Sequence, residues 1–454
     1  MTREVAMMRE VAMMREAAMM RMKYNTDKGF TLVELLVTMF IMSAIMAATI
    51  SSFMALSKSF KGQTRTAEMQ IEDAIALDLL RYDIQMAGYG LPRGNSSVDI
   101  GFGYNESSEG AGSNTPAPNS FNDDANRAVC AASSCEPQAF VLSNNGNPGL
   151  DAAAFDNSDV LVIKSVVSVL DETTIRSTVR YYDAVTDSFI NRAWSDAAMN
   201  PVGCNKVISI NGTSKKIFVD IASGSWYYDA DGTCAVGGGI TVGPDILRGD
   251  SATFFTYLTY VVHSGTDSAG APVNPRMPFN RVDYYLGKTY TTNTKCHPKT
   301  YTLYRAAIKQ SDGTRDEQTL MDCVADFQVA FGLDTDGDSL IDWWDDGTIL
   351  STYDSRGVFA RVKMVKVFIL THEGVFNTEF TYAGTTQVVT GPIGTCTNSA
   401  TTFCIGDDDV LLKTLNLTNL GTTGSSDYTK YKWTQLVLSG KSMNLCQEST
   451  ASCL

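Results

Sequence analysis

A loop rich in aspartate is the candidate ligand site whose spacing is most specific. The stretch DTDGDSLIDWWDDG covers residues 334 to 347. Ca²⁺ takes roughly six to eight oxygen ligands, and one short loop can supply several carboxylates and a main-chain carbonyl at this spacing. We therefore predict a Ca²⁺ site, with a solvated acidic turn as the alternative. Its ligands, from positions one, three, five, seven, nine and twelve, would be Asp334, Asp336, Asp338, the carbonyl of Leu340, Asp342 and Asp345.

The loop departs from an EF-hand at two positions. Ser339 stands where an EF-hand has glycine, and Asp345 stands where it has a bidentate glutamate. The flanking sequence is strand-like, so the prediction is a calcium loop without EF-hand helices.

A single carboxylate lies inside a long apolar run. Between Phe30 and Met54, Glu34 is the only charged residue. The run is long enough to cross a bilayer as a helix, since about 20 apolar residues suffice. An unpaired carboxylate in hydrocarbon costs several kcal/mol, so such a residue normally has a function. The sequence predicts a transmembrane helix in which Glu34 needs a partner.

The cysteines indicate disulfides rather than a metal or a thiol nucleophile. None precedes the apolar run and none forms the close CxxC pair typical of zinc sites. An oxidising compartment and a domain outside the cytoplasm follow from this usage. Consecutive pairing is one possible connectivity, which spacing alone leaves open. The ten candidates are Cys130, Cys135, Cys204, Cys234, Cys296, Cys323, Cys396, Cys404, Cys446 and Cys453.

Catalytic and nucleic-acid-binding signals are lacking. The three histidines, His263, His297 and His372, lie far apart, and no metalloprotease, esterase or phosphate-loop motif occurs. Cys296 precedes His297, but we expect it to be bonded rather than nucleophilic. The formal net charge is −14, which argues against binding a phosphate backbone. We predict that the protein is not an enzyme and binds no nucleic acid.

The first 29 residues are predicted to be a leader segment that does not belong to the folded protein. Arg3, Arg9, Arg15 and Arg21 mark a six-residue repeat, a period that fits neither a helical turn nor a heptad. An upstream tract ahead of a true start at Met22 is the favoured interpretation of residues 1–21, and a functional extension is the alternative. In both interpretations the segment contributes no element to the predicted fold.

The boundary before the apolar run carries a family resemblance. Lys28, Gly29 and Phe30 precede the run, whereas a secretory signal is cut after it. The stretch Gly29 to Glu34 resembles the type IV prepilin motif. The resemblance implies cleavage between Gly29 and Phe30 by prepilin peptidase, methylation of Phe30, and a Glu34 neutralised by the amino terminus of a neighbouring subunit. A plain anchor whose Glu34 reaches the interface is the alternative.

The elements behind these residues are a long helix and many strands. We predict one long helix, the spine helix, with a transmembrane half, 30–54, and an amphipathic half, 55–90. It should end near AGYGLP, residues 87–92. The amphipathic half should pack on the β-rich domain through apolar stripes that include Ile71 and Ile75. Residues 92–157 read as a Gly-, Ser- and Asn-rich loop or insertion. The rest, 158–454, alternates strands with turns. The predicted strands are 159–170, 174–182, 216–221, 253–263, 281–286, 301–308, 323–331, 361–371 and 432–439.

The order of the later strands resembles the PilW family of minor pilins. RVDYYL (281–286), LYRAAI (303–308), the segment from Leu320 to Trp344 and RVKMVKVFILT (361–371) follow in the family's order. The closing strand departs from it, with Lys441 and Ser442 where the family has Arg-Asn. The implied fold is α+β: a long amino-terminal pilin-like helix packed on an antiparallel β-sheet domain with large loop insertions.

The resemblance implies a structural role. We expect a minor pilin-like subunit that helps to initiate type IV pilus assembly and presents a tip adhesin. Its expected partners are other minor and major pilins, through the helix, and prepilin peptidase. It would reside in the inner membrane before assembly and in the periplasm or surface pilus afterwards. The alternatives are a type II secretion pseudopilin, or an adhesin whose 92–280 region binds a surface or glycan.

Overall fold

A computed structural model describes most of the chain. The described residues are 31–92, 104–110, 116–123, 136–144, 158–169, 171–183, 188–192, 194–199, 201, 205–212, 215–218, 225–230, 256–262, 273–385, 387–391 and 394–447. The chain forms two compact units, one ending at Thr64 and the other beginning at Arg65.

One helix of 55 residues, α1, runs from Leu32 to Met86. Its sequence has no proline and a single glycine, so nothing interrupts the hydrogen-bond ladder. It ends where predicted, because Gly88 and Gly90 adopt positive φ values of 80° and 69° in the turn that follows. At Gly90 a side chain would also meet Val166, only 2.7 Å from the position of a Cβ atom.

The buried face of α1 differs from the predicted stripes. Ile71 and Ile75 are 60% and 63% exposed, so the prediction that they pack on the body was wrong. The buried positions share an equally regular spacing and are Met69, Ala76, Leu80, Asp83 and Ile84. Hydropathy hid this face because it contains a small alanine and a charged aspartate, whereas two isoleucines lie outside it.

The principal sheet is antiparallel throughout. Its strands are β1 (Phe140–Ser143), β2 (Val160–Ser165), β8 (Asn280–Leu286), β9 (Tyr301–Ile308), β10 (Arg315–Leu333), β11 (Trp343–Asp345), β12 (Val362–Glu373) and β17 (Lys432–Gly440). The strand order is β1-β2-β8-β9-β10-β12-β17, and β11 pairs with the end of β10.

A second sheet lies between β2 and β8 in the chain. Its strands are β3 (Ser177–Asp183), β4 (Ser188–Arg192), β5 (Lys206–Asn211), β6 (Tyr228–Asp229) and β7 (Thr256–Val261). Their order in the sheet is β4-β3-β7-β5-β6. The predicted strand 216–221 appears only as an isolated bridge at Ile217, and its last three residues lie outside the described residues.

Two hairpins, a short α-helix and several 3-10 helices of three or four residues lie outside the two sheets. The hairpins pair β13 (Val388–Gly391) with β14 (Gly394–Thr397) and β15 (Thr402–Gly406) with β16 (Leu411–Asn416). Helix α2 (Ser355–Arg361) begins where the side chain of Asp354 accepts a hydrogen bond from the Gly357 N–H.

Both faces of the principal sheet are covered. On one face Leu80 and Ile84 of α1 join a core with Leu161, Ile163 and Tyr284. The opposite face, formed by the alternate residues of the same strands, buries Val160, Val162, Tyr285 and Ala306 beneath Phe121. The predicted loop 92–157 therefore contains strand β1 and, in its described part, a cover for the sheet.

Candidate assembly and ligand sites

The start of α1 is held by a reciprocal pair of hydrogen bonds. The Thr31 N–H donates to Glu34 Oε2 at 3.0 Å, and the Glu34 N–H donates to Thr31 Oγ1 at 3.2 Å. This is a capping box, which satisfies amides that a helix start leaves without partners. Glu34 thus caps its own helix as well as being the only charge in the apolar run. The predicted processing residues Gly29 and Phe30 lie outside the described residues.

The first half of α1 presents apolar side chains on all sides. Leu32, Phe40 and Phe53 are 75%, 74% and 71% exposed. In the described chain α1 is long and apolar enough to cross a membrane. A helix that is hydrophobic all round needs a lipid or protein environment to cover it.

A buried ion pair joins the last turns of α1 to the sheet. Asp83 Oδ2 accepts hydrogen bonds from Arg305 Nε at 2.8 Å and from the Tyr284 hydroxyl at 2.5 Å. Arg305 also donates to the carbonyl of Ser168. Burial raises the pKa of Asp83, while Arg305 and Tyr284 oppose the shift. Sequence analysis missed this pair; the only signal was an aspartate in the spacing of the buried helix face.

A disulfide lies where the middle of α1 meets the sheet. Cys296 and Cys323 are bonded and pack against Met69. Cys396 and Cys404 form a second disulfide, and Cys446 is also disulfide-bonded. Both fully described bonds follow the consecutive pairing, and Cys296 is therefore not a free nucleophile. The predicted Cys130, Cys135, Cys204, Cys234 and Cys453 lie outside the described residues.

Two histidines meet in a buried aromatic cluster. The main-chain N–H of His297 donates to His372 Nε2 at 2.9 Å. The rings of both histidines contact Tyr431 and Trp433. Burial lowers the pKa of His297 to about 4 and, with His297 beside it, the pKa of His372 to about 3. Both are therefore neutral packing residues at pH 7. His263 lies outside the described residues.

The aspartate loop joins β10 to β11 and brings three of its carboxylates together. One oxygen from each of Asp334, Asp336 and Asp338 lies within 4.8 Å of the others. Asp334 is buried and accepts hydrogen bonds from the N–H groups of Gly337 at 2.6 Å and Ser339 at 3.0 Å. Strand-like flanks were predicted, and strands flank the loop.

Asp342 and Asp345, two of the other predicted ligands, lie outside this group. Asp342 Oδ2 accepts hydrogen bonds from the N–H groups of Thr335 at 2.7 Å and Asp336 at 3.1 Å, which closes the base of the loop. The two oxygens of Asp345 accept three main-chain hydrogen bonds from Gly347, Ile349 and Leu350. Leu340 is 66% exposed, and its N–H donates to Asp338 Oδ1 at 2.8 Å.

A cation already lies beside the three grouped carboxylates. Lys363 Nζ is 3.4 Å from Asp334 Oδ2 and is itself buried. It offsets one of the negative charges that a Ca²⁺ ion would otherwise neutralise, so the three carboxylates present less than their full negative charge.

Five charged residues are buried together on the sheet face opposite α1. Lys164 on β2 and Arg281 on β8 are direct cross-strand partners. They meet Glu106, Asp123 and Asp283, and each of the five is at most 1% exposed. Arg281 binds both oxygens of Asp283, through Nε at 2.7 Å and Nη2 at 2.9 Å. This cluster holds Glu106 and Asp123 against the sheet, and sequence analysis missed it because its members come from three distant segments.

Glu106 is the centre of the cluster. Arg281 Nη1 donates to its Oε2 at 2.8 Å, and the Asp123 N–H donates to its Oε1 at 2.9 Å. Burial alone would raise the pKa of Glu106, but Lys164 and Arg281 beside it lower that pKa below its ordinary value. Glu106 is therefore ionised.

Comparison with known families gives two matches. The model for type IV pilus-assembly protein W matches residues 283–401, and the model for the prokaryotic N-terminal methylation motif matches residues 24–50. No curated protein and no solved structure matches the chain. The first match covers strands from β8 to β14 together with the aspartate loop, and the second covers the start of α1.

Proposed function

This chain is a type IV pilin of the PilW family, and from that premise we propose that it is a minor pilin-like subunit which helps to initiate pilus assembly. The observation that carries the proposal is the methylation motif placed directly before a helix whose apolar side chains are exposed and whose only early charge is Glu34. Such a helix is suited to lie in the inner membrane and then beside other pilin helices.

The partners follow from the same helix. We propose that prepilin peptidase cuts between Gly29 and Phe30, that the helix packs against other minor and major pilins, and that the assembled domain presents a tip adhesin. The domain would lie in the periplasm before assembly and on the surface pilus afterwards. Mass spectrometry of the mature amino-terminal peptide should find methylated Phe30, and a terminus near residue 54 would contradict the proposal.

Assembly is tested by a single substitution. Glu34→Ala should still insert in the membrane, because it makes the helix more apolar, but should enter filaments poorly, because a neighbouring amino terminus loses its partner. Thr31→Val is the matched variant, since it removes the capping hydroxyl and keeps the carboxylate. Pili per cell are counted by electron microscopy, with membrane fractions probed for the subunit. Wild-type piliation of Glu34→Ala would contradict the role of Glu34.

A second candidate function is adhesion. The five-stranded sheet between β2 and β8 lies outside both family matches, which supports a task of its own for this region, such as binding a surface or glycan. Normal piliation with lost attachment after substitutions in this sheet would favour adhesion. Loss of protein secretion with intact pili would instead favour a type II secretion pseudopilin.

We also propose that the aspartate loop binds Ca²⁺ through Asp334, Asp336 and Asp338. Support comes from the approach of their oxygens within 4.8 Å and from the preference of Ca²⁺ for carboxylate oxygens. Asp342 and Asp345 would shape the loop by accepting main-chain hydrogen bonds.

A further inference from the structure

Lys164 and two carboxylates form a closely spaced buried group. Lys164 Nζ lies 2.7 Å from Asp123 Oδ2 and 2.8 Å from each oxygen of Glu106. The side chains of Lys164 and Glu106 are fully buried, and that of Asp123 is 1% exposed. An amine is thus held in contact with one carboxyl group while a second carboxylate contacts the same nitrogen.

The charges in this group do not balance. Three carboxylates, those of Glu106, Asp123 and Asp283, face two cations. Arg281 contacts Asp283 and Glu106, and Lys164 is the cation that contacts both Glu106 and Asp123. The ring of Phe279 lies 5.2 Å from Lys164 Nζ, and Phe121 is buried nearby on the same sheet face. A dry site of this kind penalises separated charges, so conversion of an ammonium and a carboxylate into a neutral product is favoured there.

We propose that Lys164 and Asp123 are joined by an amide bond between Nζ and Cγ, with Glu106 as the group that transfers the proton. Glu106 takes a proton from the Lys164 ammonium and passes it to Asp123, and the neutral amine attacks the carbon of the neutral carboxyl group. The nitrogen then gives up a second proton through Glu106 to the same carboxyl oxygen, which leaves as water. An ammonium and a carboxylate become an amide and one water molecule, with no oxidant or cofactor. Fixed proximity of the reacting groups supplies the rate advantage.

A second buried pair provides an internal comparison. Lys206 Nζ lies 2.6 Å from Asp229 Oδ1, and their side chains are 3% and 1% exposed. Among the residues that the structure describes, no second carboxylate lies within ion-pair distance of Lys206. Because the structure describes no second carboxylate beside Lys206 to move the proton, we expect this pair to remain an ion pair.

The bond would join Asp123, on the chain that covers this sheet face, covalently to Lys164 on strand β2. Asp123 and Lys164 are 41 residues apart in sequence, so the amide closes a long loop in the unfolded chain and restricts it, as a disulfide does. It is independent of the reducing agents that break disulfides, and it requires no pilus.

Peptide mass spectrometry tests the proposal on the full-length precursor purified in detergent. After reduction, denaturation and trypsin digestion, we expect a branched peptide that joins residues 94–127 to residues 128–176 through Asp123 and Lys164. It is lighter than those two peptides by one water molecule, and its two amino termini and its fragment ions distinguish it from the linear peptide 94–176 of the same mass. Trypsin should not cut after Lys164 but should cut after Lys206. A free, cleavable Lys164 in the wild type would overturn the proposal.

Two variants test the mechanism. Glu106→Gln keeps the shape but cannot carry the proton, so we expect it to leave Lys164 unlinked; full linkage would overturn the assignment of Glu106. Asp123→Asn should still link but should release ammonia, giving a branched peptide of the same mass as that of the wild type. If the Asp123→Asn variant folds, as shown by its circular dichroism, but stays unlinked, that result would count against the bond.

Discussion

At the scale of single residues, the two sites that sequence analysis emphasised behave differently. Glu34 and Thr31 form the capping box of α1. The position of Glu34 in the apolar run did not predict this role. In the aspartate loop, the predicted ligand set contains two kinds of carboxylate. Those of Asp334, Asp336 and Asp338 approach one another, whereas those of Asp342 and Asp345 accept main-chain hydrogen bonds. Spacing in sequence predicts which carboxylates share a loop, but it does not predict which of them accept hydrogen bonds from main-chain N–H groups.

Calcium should stabilise the native protein through the three grouped carboxylates. Binding to the native state alone adds about 2.7 kcal/mol at a hundredfold excess over Kd. The melting temperature of the full chain in detergent should therefore be higher in Ca²⁺ than in chelator, and Asp338→Ala should abolish the difference. Asp408→Ala, at an exposed aspartate of another loop, is the matched control and should keep it. Equal wild-type melting temperatures would identify the loop as an acidic turn.

At the scale of elements, sequence analysis located eight of the seventeen described strands and misjudged the helix face. β9 matches its prediction over 301–308 residue for residue, and β8, β12 and β17 are within two residues of theirs. Aromatic and β-branched residues between turn signals were sufficient there. The missed strands are short or rich in polar residues; they are β1, β4, β5, β6, β11 and the four strands of the two late hairpins. The buried face of α1 was missed because it contains the charged Asp83. Its desolvation cost is offset by an ion pair with Arg305, which is 222 residues away in the sequence.

The docking of α1 should depend on both members of that ion pair. Asp83→Ala leaves Arg305 buried without its carboxylate, which typically costs about 3–5 kcal/mol. The double variant Asp83→Leu with Arg305→Leu removes both charges and should be less destabilised than Asp83→Ala. The free energy of unfolding is measured by urea titration of the full chain in detergent. Asp78→Ala, on the exposed face of α1, serves as the control. A double variant that is no more stable than Asp83→Ala would contradict the pairing.

At the scale of the whole molecule, the family could be inferred from sequence because its signals are local. The prepilin motif is a contiguous stretch, and the PilW-like strands follow one another along the chain. The buried charge cluster could not be inferred, since it forms only when Glu106 and Asp123 lie over β2 and β8. Its members are Glu106, Asp123, Lys164, Arg281 and Asp283. Local pattern thus predicts the elements and the family, whereas pairing between distant charges needs the fold.

Acid should weaken the domain through its buried histidines. In the unfolded chain His297 and His372 take up protons below pH 6.5, whereas in the native protein their pKa values are about 4 and 3. The unfolded state therefore binds more protons in this window, and stability falls as the pH drops from 6.5. Each histidine contributes a loss of about 2 kcal/mol by pH 5.

Urea titrations at pH 7 and pH 5 measure this dependence. His297→Gln with His372→Gln removes both titrating rings while keeping side chains that can accept hydrogen bonds, so its stability should change less between the two pH values. A pH dependence equal to that of the wild type would assign the acid sensitivity to other groups.

The attachment of the second sheet affects how such a chain can diversify. β2 ends at Ser165 and β8 begins near Asn280, and these two residues are direct register partners. The whole intervening segment therefore leaves and re-enters the principal sheet at neighbouring points. Insertions or exchanges within it need not shift the register of β2 against β8, provided that inward residues such as Ile208, Ile210 and Trp226 keep filling the shared core. Natural selection can thus vary the sequence carried here while the scaffold beneath stays constant.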